Sequence, residues 1–145
     1  MTFGIVIPVG EWRGTLPQVL DALYAFAGDA RHRYRVIPVE NGGGADSQEA
    51  VRALVAERTG VTGILLSHNT GQQHALYVGM QYLPPACDRV VTMDDYGAHP
   101  VSLLADMLAQ LDGGAGFCFG TPERRKGSLL RKDGTVLRDI LFSLC

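Results

Sequence analysis

Short apolar runs alternate along the chain with longer stretches in which apolar residues return every three or four positions. The runs are Phe3–Val9, Tyr34–Val39, Val61–Ser67, Arg89–Met93 and Gly116–Phe119. Their starts recur roughly every thirty residues, and they are apolar at successive positions, which predicts strands covered on both faces in a parallel sheet. The intervening stretches predict helices. Leu16, Leu20, Leu23 and Ala27 share one helical face, with Thr15 placed as N-cap and Pro17 in the first turn. Val51, Leu54 and Val55 follow Asp46-Ser47-Gln48-Glu49, which reads as a capping box. Thr70-Gly71-Gln72-Gln73 has the same form and opens a helix that Pro84-Pro85 stops. Gly79 lies inside that helix, where glycine costs about 1 kcal/mol against alanine. Tight packing on a strand would offset the cost. Pro100 suits the first turn of a last helix through Leu103, Leu104, Met107, Leu108 and Leu111, ended by Gly113-Gly114.

The order of elements is β-α-β-α-β-α-β-α-β. Right-handed crossovers turn that order into a single three-layer α/β/α domain with a mainly parallel, doubly wound sheet. Residues 1–122 make up this domain. Residues 123–145 carry a basic loop and an amphipathic C-terminal helix, either part of the same domain or an interaction segment. In open α/β sheets the ligand sits beyond the carboxyl ends of the strands. The loops there hold most of the glycines and much of the polar chemistry.

Composition narrows the class. With 145 residues, 46% hydrophobic and 19% charged, the chain has the size and balance of one soluble globular domain. A net charge of -2 gives no reason to expect nucleic acid as a partner. Cys87, Cys118 and Cys145 have neither zinc-site nor disulfide-framework spacing, so they read as buried free thiols in a reducing compartment. The apolar N-terminus is short, contains Pro8 and lacks a basic flank, so it reads as a strand and not as a signal peptide. The apolar runs fall short of the ~20 residues a membrane crossing needs. The expected location is cytoplasmic, or peripheral to a membrane.

Three segments carry candidate chemistry. In Val91-Thr92-Met93-Asp94-Asp95-Tyr96 a strand delivers two adjacent carboxylates to the ligand edge. Hard oxygen ligands of this kind hold Mg²⁺ or Mn²⁺ together with a diphosphate, whereas the bland alternative is a solvated acidic loop. In Glu40-Asn41-Gly42-Gly43-Gly44 a carboxylate and an amide stand where they can bind nucleoside hydroxyls or a base edge, and glycines allow close backbone approach. A flexible turn is the plainer reading. From Asn69 to Gly79, a helix start at Gly71-Gln72 offers backbone N–H groups that favour anions. His74 reads as a surface or packing histidine. No G-x-G-x-x-G follows the first strand and no G-x-x-x-x-G-K-[ST] occurs anywhere, which argues against a dinucleotide-dependent oxidoreductase and a P-loop nucleotidase.

In order and spacing these segments resemble family 2 glycosyltransferases, which have the Rossmann-like GT-A fold. Ile7-Pro8-Val9-Gly10-Glu11 aligns with that family's Pro-Val-Tyr-Asn-Glu, and Val39-Glu40-Asn41-Gly42-Gly43 with its Val-Asp-Asp-Gly-Ser. Asn69 to Gly79 is close to the Asn-x-Gly-Gln-x-x-Ala-x-x-x-Gly of its polyprenyl-phosphate sugar transferases. Asp94-Asp95-Tyr96 through Pro100 aligns with its Asp-x-Asp strand end, with Tyr96 in place of the second Asp. The resemblance implies inverting transfer from a nucleotide-diphosphate sugar to an acceptor hydroxyl or polyprenyl phosphate, with Mg²⁺ or Mn²⁺ at Asp94 and Asp95. It implies a nucleotide-sugar site formed by Pro8, Val9, Glu11, Glu40, Asn41, Gly42, Gly71, Gln72, Asp94 and Asp95. No catalytic base is identified. Tyr96 supports a rival expectation, a non-catalytic relative that binds a nucleotide, a sugar or another protein.

The chain's last segment has its own pattern. Arg124, Arg125, Lys126, Arg131 and Lys132 suit a diphosphate, an anionic membrane surface or plain solvent. The stripe Val136, Leu137, Ile140, Leu141 and Leu144 suits docking on the core, a homodimer through this helix or a lipid surface.

Overall fold

A computed structural model describes residues 2–30 and 33–120. The elements run β1 (Thr2–Val9), α1 (Leu16–Ala30), β2 (Arg33–Asn41), α2 (Ala45–Glu57), β3 (Ile64–Leu66), α3 (Gln72–Gln81), β4 (Arg89–Thr92), a 3-10 turn (Val101–Leu103) and α4 (Leu104–Asp112). The chain divides after Asp106, and the whole sheet belongs to the unit Met1–Asp106. The expected boundary at 122/123, the basic loop and the C-terminal stripe all lie outside the described residues.

The sheet has four strands in the order β3-β2-β1-β4, and every pairing is parallel. Its strands alternate with helices on both faces, so the expected α/β/α architecture holds. The chain steps outward from β1 to β2 and β3, then crosses back to place β4 beside β1. Phe3, Ile5, Ile7 and Val9 point to one face of β1 and are fully buried. Phe3 stacks on Tyr34 of β2 at 5.5 Å, and Phe26 of α1 lies 6.4 Å from the same ring. Val6, Ile37 and Val39 point to the other face and pack with Ala75 of α3. Each such side chain contributes roughly 1.5–3 kcal/mol through burial.

Two prolines explain where the ladders stop. Along a parallel strand, successive residues bond to opposite neighbours. The Val6 carbonyl accepts from Met93 N–H at 3.2 Å, so Val6 faces β4, and Pro8 faces the same way. β4 pairs with β1 only as far as Val6, so the N–H that Pro8 lacks is not needed. Pro38 faces β3 in the same manner. Val36 bonds to Gly60 and Thr62, both at 2.9 Å, and regular pairing resumes only at Val39↔Ile64. The strand expected from Val61 to Ser67 is therefore broken opposite Pro38 and reduced to Ile64–Leu66.

Other expectations need correction. Gly116–Phe119 is not a strand, and Phe117 and Phe119 are 71% and 78% exposed. Three apolar residues between glycines suffice for a strand only beside a partner, and β4 is an edge strand among the described residues. β4 itself alternates between half-buried and exposed positions, because α3 packs over β1 and β2. Pro100 opens a 3-10 turn that leaves Leu103 exposed, while Leu104 and Leu108 are the buried pair. Cys87 and Cys118 are free but only half-buried, and burial pushes the Cys87 thiol up. Among the described residues no helix is long and apolar enough to cross a membrane.

Candidate functional site

A cleft of about 270 Å³ opens at the carboxyl ends of β1, β2 and β4. It lies where the chain's direction across the sheet reverses, the place where α/β sheets take ligands. β1 and the loop after it supply Pro8, Val9, Gly10, Glu11 and Arg13. β2 supplies Asn41, and the entry to α3 supplies Asn69 and Gln72. The segment after β4 supplies Asp94, Asp95 and Tyr96.

The loops are held by side chains that the sequence suggested for other work. Thr15 precedes α1, but its hydroxyl donates to the Asp95 carbonyl at 2.7 Å and so fastens α1 to the segment after β4. The box expected from Asp46 to Glu49 does not cap α2. That helix starts earlier, at Ala45 after Gly44 with φ 97°, and the buried Ser47 hydroxyl donates to the Gly10 carbonyl at 3.1 Å. A Cβ on Gly43 would overlap the same carbonyl, so glycine is what lets the two loops meet. Thr70 likewise caps nothing. Its N–H and hydroxyl donate to Asn41 Oδ1 at 2.9 and 3.1 Å, and α3 begins after Gly71 with φ 86°. Asn41 Nδ2 donates to Asn69 Oδ1 at 3.3 Å. The buried amide of β2 thus sets the loop that brings Asn69 and Gln72 to the cleft.

Adjacent residues of the acidic pair occupy different surroundings. Asp94 Oδ1 accepts from Gln72 Nε2 at 3.3 Å. Its backbone N–H donates to His99 Nδ1 at 3.0 Å, which leaves the imidazole proton on Nε2, 3.6 Å from Asp94 Oδ2. The Tyr96 hydroxyl hydrogen-bonds to Asp94, and this bond, with burial and the nearby acids, raises its phenol pKa despite Arg13. Asp95 is buried, and desolvation raises its carboxyl pKa. A bond to its own backbone and the charge of Arg13 act against that rise, while Asp94 adds to it. The Arg13 guanidinium lies over the Tyr96 ring, 5.6 Å from its centre.

The cleft therefore gathers Pro8, Val9, Glu11, Asn41, Gln72, Asp94 and Asp95 from the expected site. It leaves three expected residues outside its lining. Glu40 is fully buried, and its Oε1 accepts from Gly43 N–H, while Oε2 has no partner among the described residues. Adjacent strand residues point to opposite faces, so Glu40 and Asn41 diverge. Gly42, with φ 71°, packs against the backbone of His68 and Asn69, and Gly71 serves as the N-cap of α3. Gly10, Arg13 and Asn69 line the cleft without having been expected. Their place in loops at the carboxyl edge was the available signal, and Arg13 is the one cation in the Pro8–Gly14 loop. His74 is exposed, as expected for a surface histidine.

In charge, the cleft suits a divalent cation, because the carboxyl groups of Glu11, Asp94 and Asp95 outnumber Arg13. Among the described residues no group of three or more His, Cys, Asp or Glu is clustered to hold a metal. Such an ion would therefore depend on oxygens of its ligand to complete its shell.

No protein-family model matches the chain. Curated relatives do. Over 129 residues the chain is 27% identical to an undecaprenyl-phosphate 4-deoxy-4-formamido-L-arabinose transferase of Shewanella sediminis, covering 88% of this chain and 38% of the relative. Over 134 residues it is 26% identical to the transferase of the same name from Klebsiella pneumoniae subsp. pneumoniae, covering 92% and 40%. The chain thus spans about two fifths of the length of these relatives. By this similarity it is a distant relative of family 2 polyprenyl-phosphate sugar glycosyltransferases.

Proposed function

We propose that the chain is the nucleotide-sugar-binding part of a glycosyltransferase that moves a sugar from a nucleotide-diphosphate donor to a polyprenyl phosphate. The observation that carries this reading is the cleft between β1 and β4, where Asp94 and Asp95 meet Asn41 and Gln72. The relatives' names add the acceptor class, undecaprenyl phosphate. Pro8 and Val9 would wall the nucleoside, and Asn41 would present its amide edge. The Gln72–Asp94 pair would take the ribose. A Mg²⁺ or Mn²⁺ held by Asp94, Asp95 and diphosphate oxygens would neutralise charge on the leaving diphosphate. Attack from the opposite side of the sugar would make the reaction inverting.

The test is a thermal-shift panel of UDP-, GDP- and dTDP-sugars with and without Mn²⁺, followed by a transfer assay with undecaprenyl phosphate. A ligand at 100 times its Kd stabilises the native state by about 2.7 kcal/mol. One nucleotide class should raise the melting temperature, and EDTA should reduce the shift. No shift with any nucleotide sugar would refute the reading.

A non-catalytic nucleotide- or sugar-binding module is the second reading. Tyr96 favours it, because a phenol hydrogen-bonded to Asp94 stands where the resemblance puts a carboxylate. If Tyr96→Asp gains Mn²⁺-dependent nucleotide-sugar hydrolysis that the native chain lacks, this reading holds. Sugar transfer by the native chain would end it.

A further inference from the structure

We infer that Arg13 is the residue of the cleft that binds the phosphoryl oxygens of a nucleoside diphosphate, an inference that rests on the nucleotide-sugar reading above. Among the described residues, Arg13 is the only basic side chain in the lining. It is exposed to solvent and forms no ion pair among the described residues. Its position comes instead from the Tyr96 ring beneath it, at 5.6 Å. Stacking on an aromatic face leaves the in-plane N–H donors of a guanidinium available, and those donors match phosphate oxygens in pairs.

The electrostatics of the cleft make this role specific. A diphosphate entering among Glu11, Asp94 and Asp95 meets repulsion unless a cation offsets it. Two of the three acids are already moderated. Asp94 accepts from Gln72 and Tyr96, and Asp95 is buried. Tyr96, at the place the resemblance gives to a metal-binding Asp, here holds a protein-borne cation over the cleft. The pair supplies positive charge that chelation cannot remove.

Isothermal titration of the full chain tests this with UDP, GDP, dTDP and inorganic pyrophosphate as probes, first in EDTA and then in Mn²⁺. The native chain should bind one nucleoside diphosphate in EDTA. Arg13→Gln should weaken that binding by about tenfold or more, the usual effect of losing hydrogen bonds to a charged group. Arg13→Lys should fall between, because it keeps the charge and loses the planar fork. Arg52→Gln, an exposed change on α2, should bind like the native chain, and the melting temperature of Arg13→Gln should not change. Equal binding by Arg13→Gln and the native chain would overturn the inference and leave the nucleotide-sugar reading standing. So would an equal loss in Arg52→Gln. Arg13-dependent binding of pyrophosphate with no gain from any nucleoside would keep the inference and defeat that reading. Failure of the native chain to bind any probe in either condition would overturn both.

Discussion

Adding one methyl group at two helical glycines should have opposite effects on stability. Gly79 of α3 lies against the sheet. A Cβ there would overlap Val6 and stand 2.9 Å from Val39 Cγ2. Both valines are fully buried, with Ile37 and Ala75 packed around them, so neither can yield without moving the core. Overpacking of this kind costs about 1–3 kcal/mol. The better helix propensity of alanine returns about 1 kcal/mol. The steric overlap favours the upper part of the range, so Gly79→Ala should lose about 1–2 kcal/mol net. Gly28 of α1 is the counterpart: it is exposed, has an ordinary backbone, and a Cβ would meet nothing within 4 Å. Gly28→Ala should gain about 0.4–1 kcal/mol, chiefly by restricting the unfolded chain. Urea unfolding followed by far-UV circular dichroism measures both, with unchanged m-values as the check that only stability moved. A neutral or stabilising Gly79→Ala, or a destabilising Gly28→Ala, would refute the packing argument. The Gly79 result also bears on the site, because α3 carries Gln72 to Asp94. A displaced helix should weaken nucleotide binding along with stability.

Two further predictions follow from the loops. Asn41→Ala removes the acceptor for both Thr70 bonds and the donor to Asn69, and should cost about 2–3 kcal/mol in urea unfolding. Asn41→Asp keeps the Oδ1 acceptor and should lose less, and equal losses would show that the amide oxygen is not the anchor. Asp95→Asn tests the buried carboxyl. Its folded-state pKa is raised above the ordinary 3.8 by burial, so ionisation opposes folding. The stability it allows is fully present below the unfolded value and is lost as pH rises through the folded one. Asp95→Asn should therefore be more stable than the native chain at pH 7, with the gap closing as pH falls towards 4. A gap that widens on acidification would refute the assignment.

The sequence by itself determined the elements and their order. Uninterrupted apolar runs marked β1, β2 and β4, and the 3.6-residue spacing of Leu16, Leu20 and Leu23 marked α1, because burial on one or two faces leaves a periodic trace. It also located the ligand edge and the acidic pair, since strand ends follow from strand positions. Gly79 was legible as a close approach because a mid-helix glycine carries a local cost. What the side chains do at that edge was decided by tertiary structure. Ser47, Thr15 and Thr70 have the composition of helix caps, but the nearest partners of their hydroxyls came from loops distant in sequence, at Gly10, Asp95 and Asn41. Gly116–Phe119 had a strand's composition and found no strand partner among the described residues, because pairing belongs to two segments and not one. The divergence of Glu40 from Asn41 follows from the alternation of a strand, but only the packed sheet shows which side faces the cleft. Arg13 over Tyr96 lay beyond any local pattern. Those residues are far apart along the chain, and only the adjacency of β1 and β4 brings their loops together.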